Sequence, residues 1–415
     1  MKLVRLGTGR TITPFGDHVL DMPAGTGTLR DHHAALAATL GATVVDAPNA
    51  EGAAADGPAL VLWDDVFLTH RLVRGLRKVT RGETRPRRVT LPKSRFVELY
   101  AQHQDVTIHA DGSASYNAWW LPNGFAAGEL PALLASATPV VVPFREKLLH
   151  FTVPPNILNR AQMVHPLTTT VAFHLRHWVH VLWLGNLWPQ IEVVERITSN
   201  PLSTAARLLT SLRPGVQATT WALARNFSYV GKNVSIHPTA CVELSVLGDG
   251  CRVGPYALVR GSVLGNNVTV EERANVGYSV LGEKDFVSKN STVFACVGFP
   301  NADLCINGMQ YCMAGRRSAL TSLVRPMDMK YRDNVRVRMD GKSVEIAELM
   351  VGSCFGHDTF IGPEVLIAPG REIPNGVVVA PRPGAVMTRV DPRLKDGGTA
   401  CVVDGTLTPM NTSDP

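Results

Sequence analysis

No cysteine precedes Cys241 in this chain of 415 residues, and none of the seven present forms a C-x-x-C pair. That leaves no paired-cysteine motif, and an odd count does not suit a closed disulfide framework. Several of the cysteines fall where a repeat described below asks for a small buried residue. They are expected to be reduced packing residues in a cytoplasmic protein. Long apolar runs are missing too. The opening MKLVRLGTGRTITPFGDH is not apolar enough for a signal peptide, and HWVHVLWLGNLW, at residues 177–188, is too short to span a bilayer. Neither export nor membrane spanning is predicted. Acid is scarce in one place: residues 71–95 carry a single carboxylate, Glu83. Such a stretch is either a solvated linker or a phosphate surface. Nucleic acid is not expected as a partner, because no aromatics are interleaved for base stacking.

What the sequence has in abundance is repetition. SYVGKNVSIHPTACVEL, SVLGDGCRVGPYALVRG, SVLGNNVTVEERANVGY and SVLGEKDFVSKNSTVFA follow one another from Ser228, Ser245, Ser262 and Ser279, and SCFGHDTFIGPEVLIAP restarts the frame at Ser353. In each 17-residue copy the third, ninth and fifteenth places form one class, aliphatic in fourteen of fifteen cases, for example Leu247, Val253 and Val259. Steps of six, six and five fit neither a helix nor continuous strand alternation. They fit three short strands closing a triangular coil, with coils stacked in parallel and aliphatic columns inside. Small side chains such as Ala240, Cys251, Ala257 and Ala274 recur four places after the aliphatics. Glycines such as Gly248, Gly265 and Gly282 follow directly, as expected for corners with unusual backbone angles.

These residues resemble the hexapeptide-repeat family, which implies a left-handed parallel β-helix. The S-V-L-G copies look most like the β-helical tails of sugar-nucleotide pyrophosphorylases. The resemblance assigns residues 228–390 to the β-helix, with an inserted arm at 299–350 and a tail at 391–415 ending in NTSDP, a candidate for disorder. The insertion contains NVRVRMDGKSVEI, a predicted hairpin turning on Asp340 and Gly341. Arg316, Arg317, Arg325 and Lys330 would give it anion-binding character; packing on a neighbouring subunit is the alternative.

Residues 1–133 read as an α/β domain. ATVVDAP and ALVLWDDVFLT suit buried parallel strands, and TLRDHHAALAATLG suits a helix ending on Gly41. LGTGRTITPF offers Gly7, Gly9 and Arg10 for a phosphate-cradling turn, or simply a turn. Asp64 and Asp65 follow an apolar strand, where they are either metal ligands or N-caps of THRLVRGLRK. The order of parts resembles the nucleotide-binding half of sugar-1-phosphate nucleotidyltransferases. That implies Gly7, Gly9 and Arg10 on a triphosphate and Asp65, with Asp64, on Mg²⁺. Arg10 stands one place earlier than the family's arginine, and His18 stands near the place of its lysine. Residues 134–227 are expected to be a helical connection closing this domain, with TTTVAFHLRHWVHVLWLGNLWPQ helical. His174, His177 and His180 are then interface residues, too spread around a helix for one metal site.

Three functions fit these features. One is Mg²⁺-dependent nucleotidyl transfer to a sugar 1-phosphate, the partner being a nucleotide or sugar phosphate. Another is acyl transfer from acetyl-CoA or another acyl-CoA, with His357 as general base and His237 second. The third is a non-catalytic scaffold or ligand sensor. Two histidines are too few for a three-histidine zinc site in the prism. Outward Tyr256, Leu258 and Phe286 predict a homo-oligomer, dimer or trimer.

Overall fold

A computed structural model describes all residues except 153–161, 212–219, 305–307, 331–332, 348, 383, 385, 395–399 and 411–415. The NTSDP tail and Cys305 therefore lie outside the described residues.

The N-terminal half is built on a mixed sheet. Its central strand, Lys2–Leu6, pairs in parallel with Thr43–Ala47 on one side and Ala59–Trp63 on the other. Ala114–Leu121 then runs antiparallel between Ala59–Trp63 and Arg87–Leu91, and Thr138–Val141 closes that edge. The inner strands are mostly apolar because both faces are covered: Leu3, Val4, Leu60, Val61 and Leu62 are fully buried, and the one buried cation of the central strand, Arg5, is paired with Asp46. The helix Leu29–Leu40 forms for local reasons. Thr28 and Asp31 make a reciprocal capping box, and Gly41 ends the helix in the left-handed region at φ 62°.

Two expectations change here. TTTVAFHLRHWVHVLWLGNLWPQ is not one helix: Ala172–His174 is a strand paired with Val66–Leu68, and the helix Trp178–Ser199 begins after His177. The sequence 134–227 is likewise more than a helical connection, since it supplies a sheet edge and the hairpin Lys147–Thr152 with Gln162–Leu167. Phe173 in the strand and the β-branched Val171 before it favour extended backbone.

The C-terminal half stacks short parallel strands in three faces, which fit a left-handed β-helix. One face runs from Tyr229–Val230 through Val246–Leu247, Val263–Leu264 and Val280–Leu281 to Glu372–Ile373, and a second from Ser235–Ile236 to Val378–Val379, with eight strands each. Inside, Val253, Val259, Leu264, Val270, Val276, Leu281, Val287 and Val293 share one core. Each copy's opening serine has a specific task. Ser262 N–H donates to Ser245 Oγ (3.1 Å), Ser279 N–H to Ser262 Oγ (3.2 Å), and Cys296 N–H to Ser279 Oγ (3.1 Å). Cys251, Cys296, Cys312 and Cys354 join this buried pattern as free thiols, whereas Cys401 is exposed. Cys296 continues the ladder, and Ser353 N–H donates to Cys312 Sγ.

The glycines at the corners have a different cause from the one expected. Gly248, Gly265 and Gly282 do not have positive φ; that conformation falls on neighbours such as Asn267, Lys284 and Asn301. A Cβ on Gly265 would lie 2.9 Å from Glu283 N, and one on Gly282 would lie 2.6 Å from Pro300 N. The next coil's backbone lies too close for a side chain. One place breaks the small-residue column. Asp285 stands in line with Cys251, Val268 and Ala302, fully buried, accepting from Gly282 N–H and Ala302 N–H at 2.8 and 2.9 Å.

The stretch 299–350 is not an arm as a whole. Asp303–Leu304, Met309–Gln310, Met313–Ala314 and Ala319–Leu320 continue the three faces, and only the sequence after Arg325–Pro326 departs. Sequence alignment missed these coils because they are shorter than seventeen residues: Met313 pairs sixteen residues back, with Val297. The departing hairpin, Val335–Met339 with Lys342–Ile346, turns on Asp340 and Gly341, both at positive φ. It packs inward. Val335, Val337, Met339 and Ile346 join the N-terminal core, and Gln102 exchanges hydrogen bonds with Ala347. Helix Trp178–Ser199 covers one prism face, with Val193 against Val246, Val263 and Val280. Residues after 390 form two more strands, Ala400–Val403 and Thr406–Pro409, rather than a plain tail.

Candidate functional site

The ends of Lys2–Leu6 and Ala59–Trp63 lie side by side, so Gly7 to Arg10 meets Asp64 and Asp65 directly. Ligands of α/β sheets gather at this edge. Asp64 folds the loop: its Oδ1 accepts from Thr8 Oγ1 at 2.6 Å and its Oδ2 from Thr8 N–H at 3.1 Å. Gly9 takes φ 64°, and a Cβ there would meet nothing within 4 Å, so its backbone faces open space. Behind the loop, His18 Nδ1 accepts from Leu20 N–H, which leaves the hydrogen on Nε2, 3.5 Å from Asp64 Oδ2.

Asp65 is 1% exposed and held from the other side. His174 Nε2 accepts from Asn117 N–H at 3.1 Å, so Nδ1 carries the proton and donates to Asp65 Oδ1 at 3.1 Å. Tyr116 stacks on that imidazole with planes 8° apart. Asp65 Oδ2 and Arg10 Nε, both buried and without hydrogen bonds, face each other at 3.7 Å. His174, Asp65 and Arg10 thus form a line that fixes a guanidinium beside the glycine loop while a quarter of its side chain stays exposed. Neither aspartate is a helix cap. Thr69 caps His70–Val79, because the strand Val66–Leu68 intervenes.

The pair does not fit a magnesium ion. Both oxygens of Asp64 are engaged by Thr8, and Asp65 already has a guanidinium and an imidazole N–H against it, where a dication wants free carboxylate oxygens. Among the described residues, no group of three or more histidine, cysteine or acidic side chains could hold a metal.

His357 lies not on an open coil but under the N-terminal half. Its Nδ1 accepts from Arg316 N–H at 2.9 Å, so Nε2 bears the hydrogen and points it at Asp17 Oδ2, 3.2 Å away. Arg316 Nη2 donates to the same oxygen, so its 2.9 Å approach to Nε2 brings together two donors sharing one acceptor. Phe15 and Phe299 enclose the ring, each 5.0 Å between centroids. Burial, with help from Arg316, holds the imidazole's pKa below its ordinary value, and Asp17 offsets this in part. An imidazole so engaged has no free lone pair to act as a base. Arg317 is bound bidentately by Asp358, so of the four cations expected on the insertion, Arg316 and Arg317 are neutralised. His237 is exposed at the first coil, with Nδ1 2.8 Å from Thr239 Oγ1.

The structure joins residues that are far apart in sequence. Asp17 contacts His357, and its neighbour His18 contacts Asp64, so the glycine loop and the prism meet through two consecutive residues. Thr8, Asp17, Asn117 and the role of His174 were not read from sequence. Thr8 stood inside the quoted loop, and no spacing signalled the others.

Residues 223–295 match the family described as GlmU-like, C-terminal hexapeptide. No curated protein matches the chain. The match covers the first four coils and leaves the N-terminal half unassigned. No helix among the described residues is long and apolar enough to cross a membrane.

Proposed function

We propose that the chain is a transferase of sugar-nucleotide metabolism whose N-terminal half binds a nucleotide or sugar phosphate at the Gly7–Arg10 loop. The observation that carries this reading is the line His174, Asp65, Arg10, which presents a fixed cation beside exposed loop backbone at the carboxyl ends of parallel strands. The phosphate would take its charge balance from Arg10 and hydrogen bonds from loop amides. Asp64 would keep Thr8 and Gly9 in the receiving shape. Because the two aspartates are engaged, any magnesium would arrive on the triphosphate rather than be held by the protein. The GlmU-like coils would give the rigid platform, and Tyr256 and Tyr278, exposed on either side of the third prism face, would be self-association contacts in a dimer or trimer.

Acyl transfer from acetyl-CoA is the second reading, favoured by the match over 223–295, which contains the exposed His237. Thermal shift with nucleoside triphosphates, UDP-sugars and acetyl-CoA, each with and without Mg²⁺, separates the two. Stabilisation by a nucleotide or UDP-sugar that Arg10→Ala removes is the expected result. Stabilisation by acetyl-CoA alone would move the activity to the prism, and no response to any phosphorylated ligand would overturn the nucleotide reading.

A further inference from the structure

The basic residues that follow His70 are exposed, and three of them line a common cavity. Arg71, Arg74 and Lys78 stand at i, i+3 and i+7 of the helix His70–Val79 and line one wall of a cavity of about 680 Å³. Gly75, on the same wall, explains the close approach. A Cβ there would lie 2.9 Å from Val142 Cγ1, so only glycine lets the helix settle against the end of Thr138–Val141. Phe144 and Arg145, which follow shortly after, line the same cavity together with Thr168 to Thr170.

The charge is one-sided. Four cations from two segments face this cavity, and of them only Arg74 has a carboxylate, Glu195 at 2.8 Å. Arg71, Lys78 and Arg145 make no ion pair among the described residues. Bringing like charges together without counterions is unfavourable and is offset by binding an anion. Thr168 to Thr170 also line the cavity, with Thr168 Oγ1 accepting from Thr170 N–H at 3.2 Å, and Phe144 adds an apolar surface. The cavity shares no lining residue with the Gly7–Arg10 loop.

We propose that this cavity is a second anion site, taking a compact polyphosphate: inorganic pyrophosphate or the diphosphate end of a nucleotide. It does not rest on the reading of the glycine loop. The test is titration calorimetry of the full chain with inorganic pyrophosphate. Arg71→Ala with Lys78→Ala should weaken binding by about tenfold or more. Arg77→Ala, on the same helix but off the cavity, and Arg10→Ala, at the other loop, should leave this site within about twofold. Arg145→Ala, on a separate segment, should weaken it in the same direction as the double variant, which covers the case where the helix variant folds poorly. Equal losses from Arg77→Ala would show a diffuse field and not a site. Loss through Arg10→Ala alone would move the ligand to the first loop. No pyrophosphate binding by the unmutated chain would also overturn the proposal.

Discussion

Asp17 Oδ2 accepts from His357 Nε2 at 3.2 Å, across 340 residues of sequence. The same oxygen takes Arg316, and Asn375 Nδ2 donates to Phe15 O at 2.7 Å, so the short hairpin Thr11–Ile12 with Asp17–His18, next to the glycine loop, is fastened to the prism. Removing Asp17 strands a cation and an imidazole N–H at a half-buried contact. Asp17→Ala is expected to cost about 1–3 kcal/mol. The check is the urea midpoint, with hydrogen exchange of residues 13–20 rising in parallel; an unchanged midpoint would show that the contact adds nothing.

The glycine column gives a sharper test of the coils. Gly265→Ala places a methyl 2.9 Å from Glu283 N, backbone that cannot swing aside, whereas Gly9→Ala meets open space and pays only for its positive φ. We expect Gly265→Ala to destabilise by several kcal/mol and Gly9→Ala by about 1 kcal/mol. Calorimetric melting that ranks the two the other way round would contradict the stacking.

Val253→Asp buries a charge in the prism core, where Val253 is 3% exposed, while the neighbouring Arg252 points to solvent. The first is expected to cost several kcal/mol and Arg252→Asp less than about 0.5 kcal/mol. Equal melting temperatures would rule out the register.

Acid should weaken the N-terminal half through His32 and His33. Burial pushes their pKa values down to about 3 and about 4, while their Nε2 atoms bond to Leu68 O and Val66 O. The folded state binds fewer protons than the unfolded chain, whose histidines titrate near pH 6.5. Their stabilising contribution is therefore complete above about pH 6.5 and falls as pH drops through that value toward the folded pKa values. The loss is about 1.4 kcal/mol per pH unit for each histidine. Denaturation at pH 7.5 and pH 5 should show it, and His33→Asn should flatten the slope. Asp285 works with the opposite sign: burial raises its carboxyl, so its contribution is greatest at low pH and declines as pH rises toward the folded value.

The inserted hairpin is expected to serve the monomer. Replacing residues 335–346 by a short glycine-serine turn removes Val335, Val337, Met339 and Ile346 from the N-terminal core. Loss of several kcal/mol from the N-terminal transition, with the oligomer unchanged in light scattering, is the outcome expected. Intact stability with a smaller oligomer would place the hairpin at a subunit contact instead.

The repeat was legible because its constraint is local and recurs: each aliphatic column demands the same residue class every seventeen places. The coils at 303–326 escaped because the spacing from Leu304 to Met309 is one residue shorter than that from Val287 to Val293, with which they pair, although the inward Leu304, Met309 and Leu320 kept its chemistry. The Thr28 and Gly41 helix boundaries were legible for the same local reason. At the site, Gly9, Arg10 and Asp65 stood out, but what their side chains do depends on His174 and Asn117, more than fifty residues further on. Asp65 looks like a metal ligand until its oxygens are followed to those partners. His357 looked like a free base for a similar reason: the groups that occupy it come from Asp17 and the backbone of Arg316.

The serine ladder gives the stacked coils a polarity. Each rung's amide is completed by the oxygen of the rung before it, whereas the strand amides donate forward, Val246 N–H to Ser262 O for example, so neighbouring coils are tied in both directions. Sulfur accepts more weakly than oxygen. At Ser353 the acceptor is the Cys312 thiol and not a hydroxyl, and a prism pulled apart from its C-terminal end would part most readily at that rung.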